Sequence, residues 1–324
     1  MLDTVGDGDT RVLAAWLYHV RGMNQQEVGQ RLRISRFRVN RMLAEAREAG
    51  IVRISVQHET AGTLALADAL CARWGLNEAL VAPVPPGTEG DAAYARRSVG
   101  LVAAGFLRRV GGVGRPCSIG VGWGRTVAEM VQALSGLRNP GLRFVSLMGS
   151  MVRTSATGPF DVCARLAALT GGQAQFLPAP FLADSVEDCQ VIQRQRMVRE
   201  TLAAARNVDV AIISVGECTP EAFLFSSGVL TAEDGANLRA AGAVADTTGM
   251  FFRDDGTLAE TDLNHRAPSV GIEDLRACDV AMLAAGTEKA EATRAVLRSG
   301  VVNRLVVDEA LARMLTLEAG GVAA

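Results

Sequence analysis

Lysine is almost absent from this chain of 324 residues: of its 33 basic residues, 32 are arginine and Lys289 is the exception. Surface charge therefore defaults to arginine. The sequence leaves two explanations for the single lysine open. It is a survivor of a compositional bias, or it occupies a site that needs a compact ammonium, which a planar guanidinium does not replace.

Long apolar runs, paired cysteines and clustered histidines are absent as well. No apolar run reaches the roughly 18–20 residues of a membrane span, and the acidic start MLDTVGDGDT is unlike the basic start of a signal peptide. Six scattered cysteines without a CxxC pair indicate reduced thiols, and three separated histidines offer no metal site. The sequence thus predicts a cytoplasmic protein with no membrane segment, no metal and no cofactor.

Charge is unevenly distributed, although the formal net charge is only −2. Residues 11–56 hold nine arginines against three glutamates, a formal charge of +6, whereas the ten residues before them carry three aspartates. The remaining residues, 57–324, therefore carry a formal net charge of −5. A small basic module on a mildly acidic body predicts that only the first part binds a polyanion.

The basic module predicts three helices followed by a strand. The first helix spans about residues 10–21, and Asn24 and Glu27 form the capping-box pair that begins a second helix. After a tight turn, Ser35 is a good N-cap for a third helix, which precedes a strand at residues 51–56. The inward face of the third helix follows helical spacing at Val39, Met42, Leu43 and Ala46.

Two short helices joined by a tight turn are the helix-turn-helix arrangement, whose later helix enters the major groove of duplex DNA. The outward face of this helix offers arginine for guanine, asparagine for adenine and an aromatic ring for the thymine methyl group, while other arginines suit phosphates. The alternative is a solvated basic helix in a three-helix bundle. In the turn, Arg33 stands where glycine is usual and must accept strain in a left-handed backbone. The predicted DNA-binding residues are Ser35, Arg36, Phe37, Arg38, Asn40, Arg41 and Arg53.

A further helix is predicted at about residues 59–73. Its apolar stripe either packs on its own domain or forms a dimer contact, which helix-turn-helix proteins need to span two half-sites. The stripe consists of Leu64, Leu66, Leu70 and Trp74. We therefore divide the chain into a helix-turn-helix domain at 1–57, a linker or oligomerisation helix at 58–75 and a larger domain at 76–324.

The larger domain alternates apolar strands with helices, which indicates an α/β fold with a doubly wound parallel sheet. Ligands of such sheets bind at the carboxyl ends of the strands. Several predicted strands end in glycine-rich turns: GVGWGRT (120–126), LMGS (147–150), SVGE (214–217) and AAGTEK (284–289). The first turn fits a dinucleotide fingerprint poorly, because Arg125 replaces its last glycine and no ribose-binding carboxylate follows the next strand.

At these motifs the chain resembles the SorC family of bacterial transcriptional regulators, from the helix-turn-helix to about Leu315. The resemblance rests on five segments in order, which begin NQQEVGQRL, GVGWGRTVAEM, VDVAIISVG, AGAVADTTGMFF and VGIEDLRACDVAM. It implies a helix-turn-helix joined to a Rossmann-like effector domain with the fold of sugar-phosphate isomerases and glucosamine-phosphate deaminases. It also implies regulation of carbohydrate catabolism, a sugar or sugar phosphate as effector, and a homo-oligomer, often a tetramer.

Matched residue by residue, the resemblance implies an effector pocket built from the glycine-rich turns. Glu217 departs from the small residue that many relatives carry and favours recognition of the hydroxyl groups of a polyol or free sugar. Trp123 is interpreted as a stacking face for a sugar, with core packing as the alternative, and Asp246 either binds ligand hydroxyls or caps a loop. The implied pocket residues are Gly122, Trp123, Gly124, Arg125, Thr126, Gly149, Ser150, Gly216, Glu217, Asp246, Phe252 and Lys289.

Lys289 falls in the first turn of a predicted helix after the strand DVAMLAAG. A cation there is unfavourable for the helix dipole, so a bound phosphate or carboxylate is the expected partner. The competing class is a sugar-isomerase enzyme, in which Glu217 or Asp246 would act as general base. Fusion to a DNA-binding module favours a sensor over an enzyme.

Overall fold

The computed structural model of the protein describes residues 7–52, 61–84, 87–88, 90–112, 114, 116–151 and 159–317. The chain divides into two compact units, Met1–His58 and Glu59–Ala324. Arg53 and most of the strand predicted at 51–56 lie outside the described residues, and the two that are described, Ile51 and Val52, form a bend. Within the described ranges, no helix is both long and apolar enough to cross a membrane.

The first unit is a bundle of three helices, α1 (Asp7–His19), α2 (Gln25–Leu32) and α3 (Arg36–Glu48). Helices this short are marginal in water on their own, so their shared apolar core holds them together. The inward stripe predicted for α3 is confirmed, since all four of its residues are buried in this core. The core residues are Ala14, Ala15, Leu17, Val28, Val39, Met42, Leu43 and Ala46.

The ends of α2 and α3 form as the sequence predicts. The Asn24 side chain accepts the N–H of Glu27 at 3.0 Å, and the Glu27 carboxylate accepts the N–H of Asn24 at 2.8 Å, which completes the capping box. Ser35 caps α3 by accepting the N–H of Arg38 at 3.2 Å. Between the two helices, Arg33 adopts the left-handed conformation at φ 55°, at a cost of about 1–2 kcal/mol.

The second unit places helices on both faces of a sheet. Its helices are α4 (Ala61–Trp74), α5 (Ala92–Gly111), α6 (Arg125–Ala133), α7 (Pro159–Thr170), α8 (Val186–Arg194), α9 (Arg196–Ala205), α10 (Phe223–Ser226), α11 (Ala232–Ala240), α12 (Leu263–Arg266), α13 (Ile272–Arg276), α14 (Ala290–Arg298) and α15 (Glu309–Thr316). Its strands are β1 (Glu78–Ala82), β2 (Cys117–Val121), β3 (Leu142–Ser146), β4 (Gln173–Gln175), β5 (Val210–Ser214), β6 (Gly216–Glu217), β7 (Ala243–Thr247), β8 (Met250–Arg253), β9 (Asp279–Ala284) and β10 (Arg304–Asp308).

Seven strands form a parallel sheet in the order β1-β10-β9-β5-β2-β3-β4, which confirms the predicted parallel α/β architecture. Successive strand residues face opposite layers. On β5, Ala211 and Ile213 pack with α4, α14 and α15, whereas Val210 and Ile212 pack with α5, α6 and α7. The chain winds outward from β2 in one direction and from β5 in the other, so the switch point of the sheet lies between these two strands.

A small antiparallel sheet, β6-β7-β8, is not predicted by the sequence. Val215 alone separates β6 from β5, so this sheet continues from the carboxyl end of a central strand. Gly216 pairs with Asp246 and Glu217 pairs with Ala245. The small sheet therefore carries two carboxylates to the edge where ligands of parallel sheets bind.

The predicted linker helix, α4, packs on the second unit. Leu70 is fully buried in the core that faces α14 and α15. The Trp74 indole N–H donates to the carbonyl of Leu315 at 3.2 Å. Leu64 stays on the surface, 58% exposed. Of the two explanations for the stripe, packing on its own domain therefore applies to Leu70 and Trp74, and Leu64 remains available to another chain.

Candidate functional site

A pocket opens at the carboxyl ends of β2 and β5, at the switch point of the large sheet. The loop from β2 to α6 passes so close to β5 that a Cβ on Gly124 would lie 2.5 Å from Ser214 Oγ. The Ser214 hydroxyl donates to the carbonyl of Trp123 at 2.9 Å and fixes this loop. The pocket is a partly open cleft between these loops.

Most of the predicted effector residues meet in this pocket. They come from three glycine-rich turns and β7, and they converge because β9, β5 and β2 are neighbours in the sheet. The predicted residues that line it are Trp123, Gly124, Arg125, Thr126, Gly216, Glu217, Asp246 and Lys289. The lining residues that were not among the predicted pocket residues are Arg96, Met148, Ser214, Val215, Ala222, Phe223, Leu224 and Thr248.

Phe252 is wrong as a pocket residue. It is fully buried and packs in the same core as Leu70, far from solvent. Consecutive strand residues point to opposite faces, and on β8 the neighbouring Phe251 packs in a separate cluster with Trp123. A motif of two adjacent phenylalanines does not reveal which of the two faces the site.

Gly122, Gly149 and Ser150 are also absent from the pocket wall. The N–H of Gly122 donates to the carbonyl of Ile212 at 2.8 Å, which ties the loop to β5. A Cβ on Gly149 would lie 2.0 Å from the carbonyl oxygen of Pro180, so glycine is needed here for a close backbone approach. These residues therefore support the loops of the site without lining it.

The single lysine is buried in the pocket wall, only 6% exposed. It ends a 3₁₀ turn, Thr287–Lys289, that leads from β9 into α14. Its ammonium donates to the carbonyl of Val215 at 2.6 Å and to Glu217 Oε2 at 2.9 Å. A compact ammonium suits two acceptors so near to each other, whereas a guanidinium is longer and planar. The expected anionic partner of this cation is therefore a carboxylate of the chain itself.

Glu217 is held in its ionised form by this contact. Burial by itself would raise the pKa of Glu217, but the charge and the hydrogen bond of Lys289 outweigh burial and hold the pKa below its ordinary value. The two side chains are largely buried, 8% exposed for Lys289 and 14% for Glu217. They form a neutral pair in which Glu217 keeps acceptor capacity toward the pocket.

Asp246 lies beside this pair on β7. A Cβ on Gly216 would lie 2.0 Å from Asp246 Oδ1, so the carboxyl group occupies space that only glycine leaves open. Burial raises the pKa of Asp246 from 3.8 to about 7; the charge of Lys289 opposes the shift and the charge of Glu217 adds to it. Near neutral pH this carboxyl group therefore exists in both a donating and a purely accepting form.

Two arginines give the pocket a cationic side. Arg125 begins α6 and is exposed, and Arg96 lies in the second turn of α5. The two helices pack so closely that a Cβ on Gly100 would lie 2.6 Å from Glu129 Cβ. Burial and then repulsion from Arg125 lower the pKa of Arg96. No sequence motif marks Arg96, because its place in the pocket depends on the packing of α5 against α6.

Trp123 is packed among aromatic side chains and is only 8% exposed. Its ring meets those of Phe181 and Phe223 edge to face, with centroid distances of 5.2 and 5.8 Å. Such edge contacts are favourable for aromatic rings. Because only a small part of Trp123 is exposed, its predicted role as a stacking face for a sugar stays a prediction.

On the first unit, the residues predicted to contact DNA lie on an exposed face of α3. Phe37 is 80% exposed. Gln25 of α2, which is not among the predicted DNA-binding residues, joins two polar residues of this face. Its amide donates to Asn40 Oδ1 at 3.3 Å, and its Oε1 accepts the Nε–H of Arg36 at 3.4 Å. The other exposed predicted residues are Ser35, Arg38 and Arg41.

Known proteins share this architecture. Residues 58–316 match the family Sugar-bind, described as "Putative sugar-binding domain". The erythritol catabolism regulatory protein EryD of Brucella abortus is 31% identical over 97% of this chain and 98% of its own length. The transcriptional regulator LsrR of Enterobacter sp. strain 638 is 27% identical over 94% of this chain and 92% of its own. The sorbitol operon regulator SorC of Klebsiella pneumoniae superposes with a TM-score of 0.77 at 23% identity, over 96% of this chain and 99% of that one.

These comparisons identify a transcriptional regulator with a sugar-binding domain, since the relatives are transcriptional regulators and not enzymes. The chain belongs to the SorC-type family of sugar-responsive regulators of catabolic operons. The resemblance drawn from the motifs is confirmed, and the sugar-isomerase alternative is wrong.

We predict that Lys289→Met lowers the free energy of unfolding of the second unit by about 2–4 kcal/mol, because Glu217 is left as an unpaired, largely buried charge. The double variant with Glu217→Gln should recover part of the loss, because glutamine carries no charge into the site. Urea titrations followed by circular dichroism measure both values. A loss below about 1 kcal/mol in the single variant, as for an exposed pair, would contradict the assignment.

The raised pKa of Asp246 predicts a pH dependence of stability. Between pH 3.8 and about 7 the folded state binds a proton that the unfolded state has released, so this stabilisation is lost as the pH rises through 7. Asp246→Asn should flatten the decline of the unfolding free energy between about pH 5 and pH 8 by 1 kcal/mol or more, since one pKa unit corresponds to about 1.4 kcal/mol.

The matched control for Asp246→Asn is Asp255→Asn. Hydrogen bonds from Thr257 lower the pKa of Asp255, so this group titrates below the tested range. Its replacement should leave the slope unchanged. Equal slopes in wild type and Asp246→Asn, measured by urea unfolding at several pH values, would show that Asp246 does not titrate near neutrality.

Proposed function

We propose that this protein binds duplex operator DNA through its first unit, and that a polyhydroxylated effector with an anionic end, a sugar or polyol phosphate, controls this binding from the pocket. The proposal assigns helix-turn-helix DNA binding to residues 1–57, linkage and oligomerisation to 58–75, and effector binding to 76–324. It gives the larger domain the sugar-phosphate isomerase and glucosamine-phosphate deaminase type of fold, and it places the protein in the cytoplasm. The presence of both carboxylates, Glu217 and Asp246, and arginines, Arg96 and Arg125, in one pocket wall carries the proposal.

The chemistry of α3 supports DNA recognition. Arginine binds guanine through two hydrogen bonds, and asparagine binds adenine in the same way. Arg36 and Asn40 lie one helical turn apart and share Gln25 as a partner, so both groups are oriented before they meet a base. The exposed ring of Phe37 suits a thymine methyl group, and Arg53 is proposed as a phosphate contact.

A homo-oligomer, a dimer or a tetramer, supports operator binding because a helix-turn-helix protein spans two half-sites. Apolar side chains on the surface of the second unit suit contact with a second copy. Leu64 on α4 is 58% exposed, and Leu101 on α5 is 59% exposed. Burial of such residues in an interface removes apolar surface from water.

The carboxylate side of the pocket favours hydroxyl groups. Glu217 is an acceptor, and its cation Lys289 already bonds to Glu217 and to the carbonyl of Val215. Asp246 adds a second carboxyl group. A phosphate beside these two carboxylates would be repelled, whereas a hydroxyl group donates to either of them.

The arginine side favours an anion. Arg96 and Arg125 repel each other, and the carboxylates of Glu288, Glu129 and Asp91 offset part of this repulsion at Arg96. Within the described ranges, neither guanidinium forms a salt bridge with a carboxylate. A phosphate group placed between them would relieve the repulsion and accept paired hydrogen bonds from each guanidinium. The amides at the start of α6 add positive potential on the same side.

The Brucella abortus relative is named as a regulatory protein of erythritol catabolism. Erythritol and its phosphate monoester are therefore the first probes, followed by other polyols and sugars with their phosphates. A true effector raises the melting temperature of the protein in a concentration-dependent way and changes operator affinity in a mobility-shift assay. If no member of this series does either, the proposal fails.

For DNA recognition, Arg36→Ala and Asn40→Ala should each cost roughly 1–3 kcal/mol of binding and relax base preference at one position. Gln25→Ala should cost less, because it removes only the side chain that orients the other two. Affinities are measured against an operator selected from random duplex DNA. Undiminished sequence discrimination by the Arg36→Ala, Asn40→Ala double variant would rule out α3 as the reading helix.

For effector binding, Arg96→Gln should lower the affinity for the phosphate ester at least about tenfold, since a hydrogen bond to a charged group contributes about 1.5–3 kcal/mol. The affinity for the uncharged polyol should stay within about twofold of the wild-type value. Arg97→Gln is the matched control, because Arg97 lies over the ring of Tyr94 and is not part of the pocket wall. Calorimetric titrations of both ligands decide the matter, and equal losses for the two would contradict an anion contact at Arg96.

A further inference from the structure

The indole N–H of Trp123 is a buried donor that has no acceptor within the described part of the chain. A buried donor without a partner costs the energy of its lost hydration. Native proteins rarely carry such groups without a reason, and an acceptor from outside the chain is one way to satisfy such a donor. This N–H therefore calls for an explanation that packing does not provide.

Trp74 of the same unit shows the ordinary arrangement. Its N–H donates to the carbonyl of Leu315 at 3.2 Å and helps to fix α4 to α15. Both indoles are mostly covered, but only that of Trp74 has its donor satisfied by the chain. The difference is one of hydrogen bonding and not of burial alone.

The side chain of Trp123 is packed on a loop that is itself fixed to β5. Phe181 and Phe223 contact its ring from the edge. The Ser214 hydroxyl fixes its carbonyl at 2.9 Å, and the glycine that follows closely approaches Ser214. The donor is thus placed in advance, which is the condition for selective recognition at low entropic cost.

The same pocket contains the acceptors that complement this donor. Trp123, Glu217 and Asp246 all line it. A carbonyl oxygen of a ligand accepts from an indole N–H but gives nothing to a carboxylate. A hydroxyl group does both, because it accepts one hydrogen bond and donates another.

Building on the proposed effector function, we infer that Trp123 is a specificity-determining residue, which donates its indole N–H to a hydroxyl oxygen of a polyhydroxylated effector. The ring is a positioned donor and not a stacking surface. Phe223 lies on α10, a helix of four residues without a side-chain cap, which also lines the pocket. This short helix is the element that yields when the ligand oxygen reaches the nitrogen.

The test replaces each indole N–H by sulfur, using benzothienylalanine at position 123 or at position 74 of the full chain. The shape of the side chain is kept and only the donor is lost. At position 123 we expect an unchanged or higher melting temperature without ligand, together with an affinity about fivefold lower or more for the polyol or polyol phosphate that binds the wild type. At position 74 we expect the reverse, a lower melting temperature and an unchanged affinity.

The second measurement uses wild-type protein labelled with ¹⁵N in its three tryptophans, so it does not depend on the folding of a variant. The indole N–H resonance missing from the position 123 variant identifies Trp123. Addition of the erythritol-series probe that raises the melting temperature should shift this resonance downfield and slow its exchange with water. The resonance of Trp74 should stay in place.

The possible outcomes distinguish the role of Trp123 from the proposed effector function. If a probe binds the wild type but the position 123 variant binds it within twofold, or the Trp123 resonance does not move, the role of Trp123 is overturned while the proposed function stands. If no polyol, sugar or phosphate ester raises the melting temperature of the wild type, both fall. A lower affinity with an undisturbed melting temperature at position 123 supports both.

Discussion

The ammonium of Lys289 connects parts of the second unit that are distant in sequence. It lies at the start of α14, yet its hydrogen bonds go to the carbonyl of Val215 and to the side chain of Glu217, at the junction of β5 and β6. The pocket depends on this contact in two ways. The contact fixes the strand that faces β7, and it supplies the charge that keeps Glu217 ionised while Asp246 beside it shifts toward the neutral form. Two buried carboxyl groups this close to each other repel when both are ionised, so a neighbouring cation is needed to stabilise the charge.

The division of the pocket follows from this arrangement. The cation belonging to the carboxylate side is already bonded within the chain, so the positive charge available to a ligand comes from Arg96 and Arg125 on the other side. The parallel sheet sets the distance between the two sides, because α6 begins at the end of β2 and β6 begins at the end of β5. A ligand with a hydroxylated part and an anionic end, as proposed above, complements both kinds of side chain.

The sequence predicts those features that depend on neighbours along the chain, and it fails where contacts are long-range. Asn24 and Ser35 cap helices within three residues of themselves, so their roles are legible in the sequence. Apolar strands followed by glycine-rich turns likewise predict the parallel sheet and eight of the pocket residues. Arg96 reaches the pocket only through helix packing, and Phe252 is turned away by the register of a small sheet that the sequence does not predict. The sequence does not predict the pairing of Lys289 with Glu217 either, because this contact joins residues that are 72 positions apart.

The near absence of lysine makes this protein unusual toward reagents that attack amines. Its only side-chain amine is the buried ammonium of Lys289, which is protonated and bonded to two oxygens in the folded state. An acylating reagent therefore finds no lysine on the surface, and modification at this one position requires the pocket wall to open. The rate of acylation at Lys289, read from the one peptide that contains it, therefore reports how often this part of the site opens.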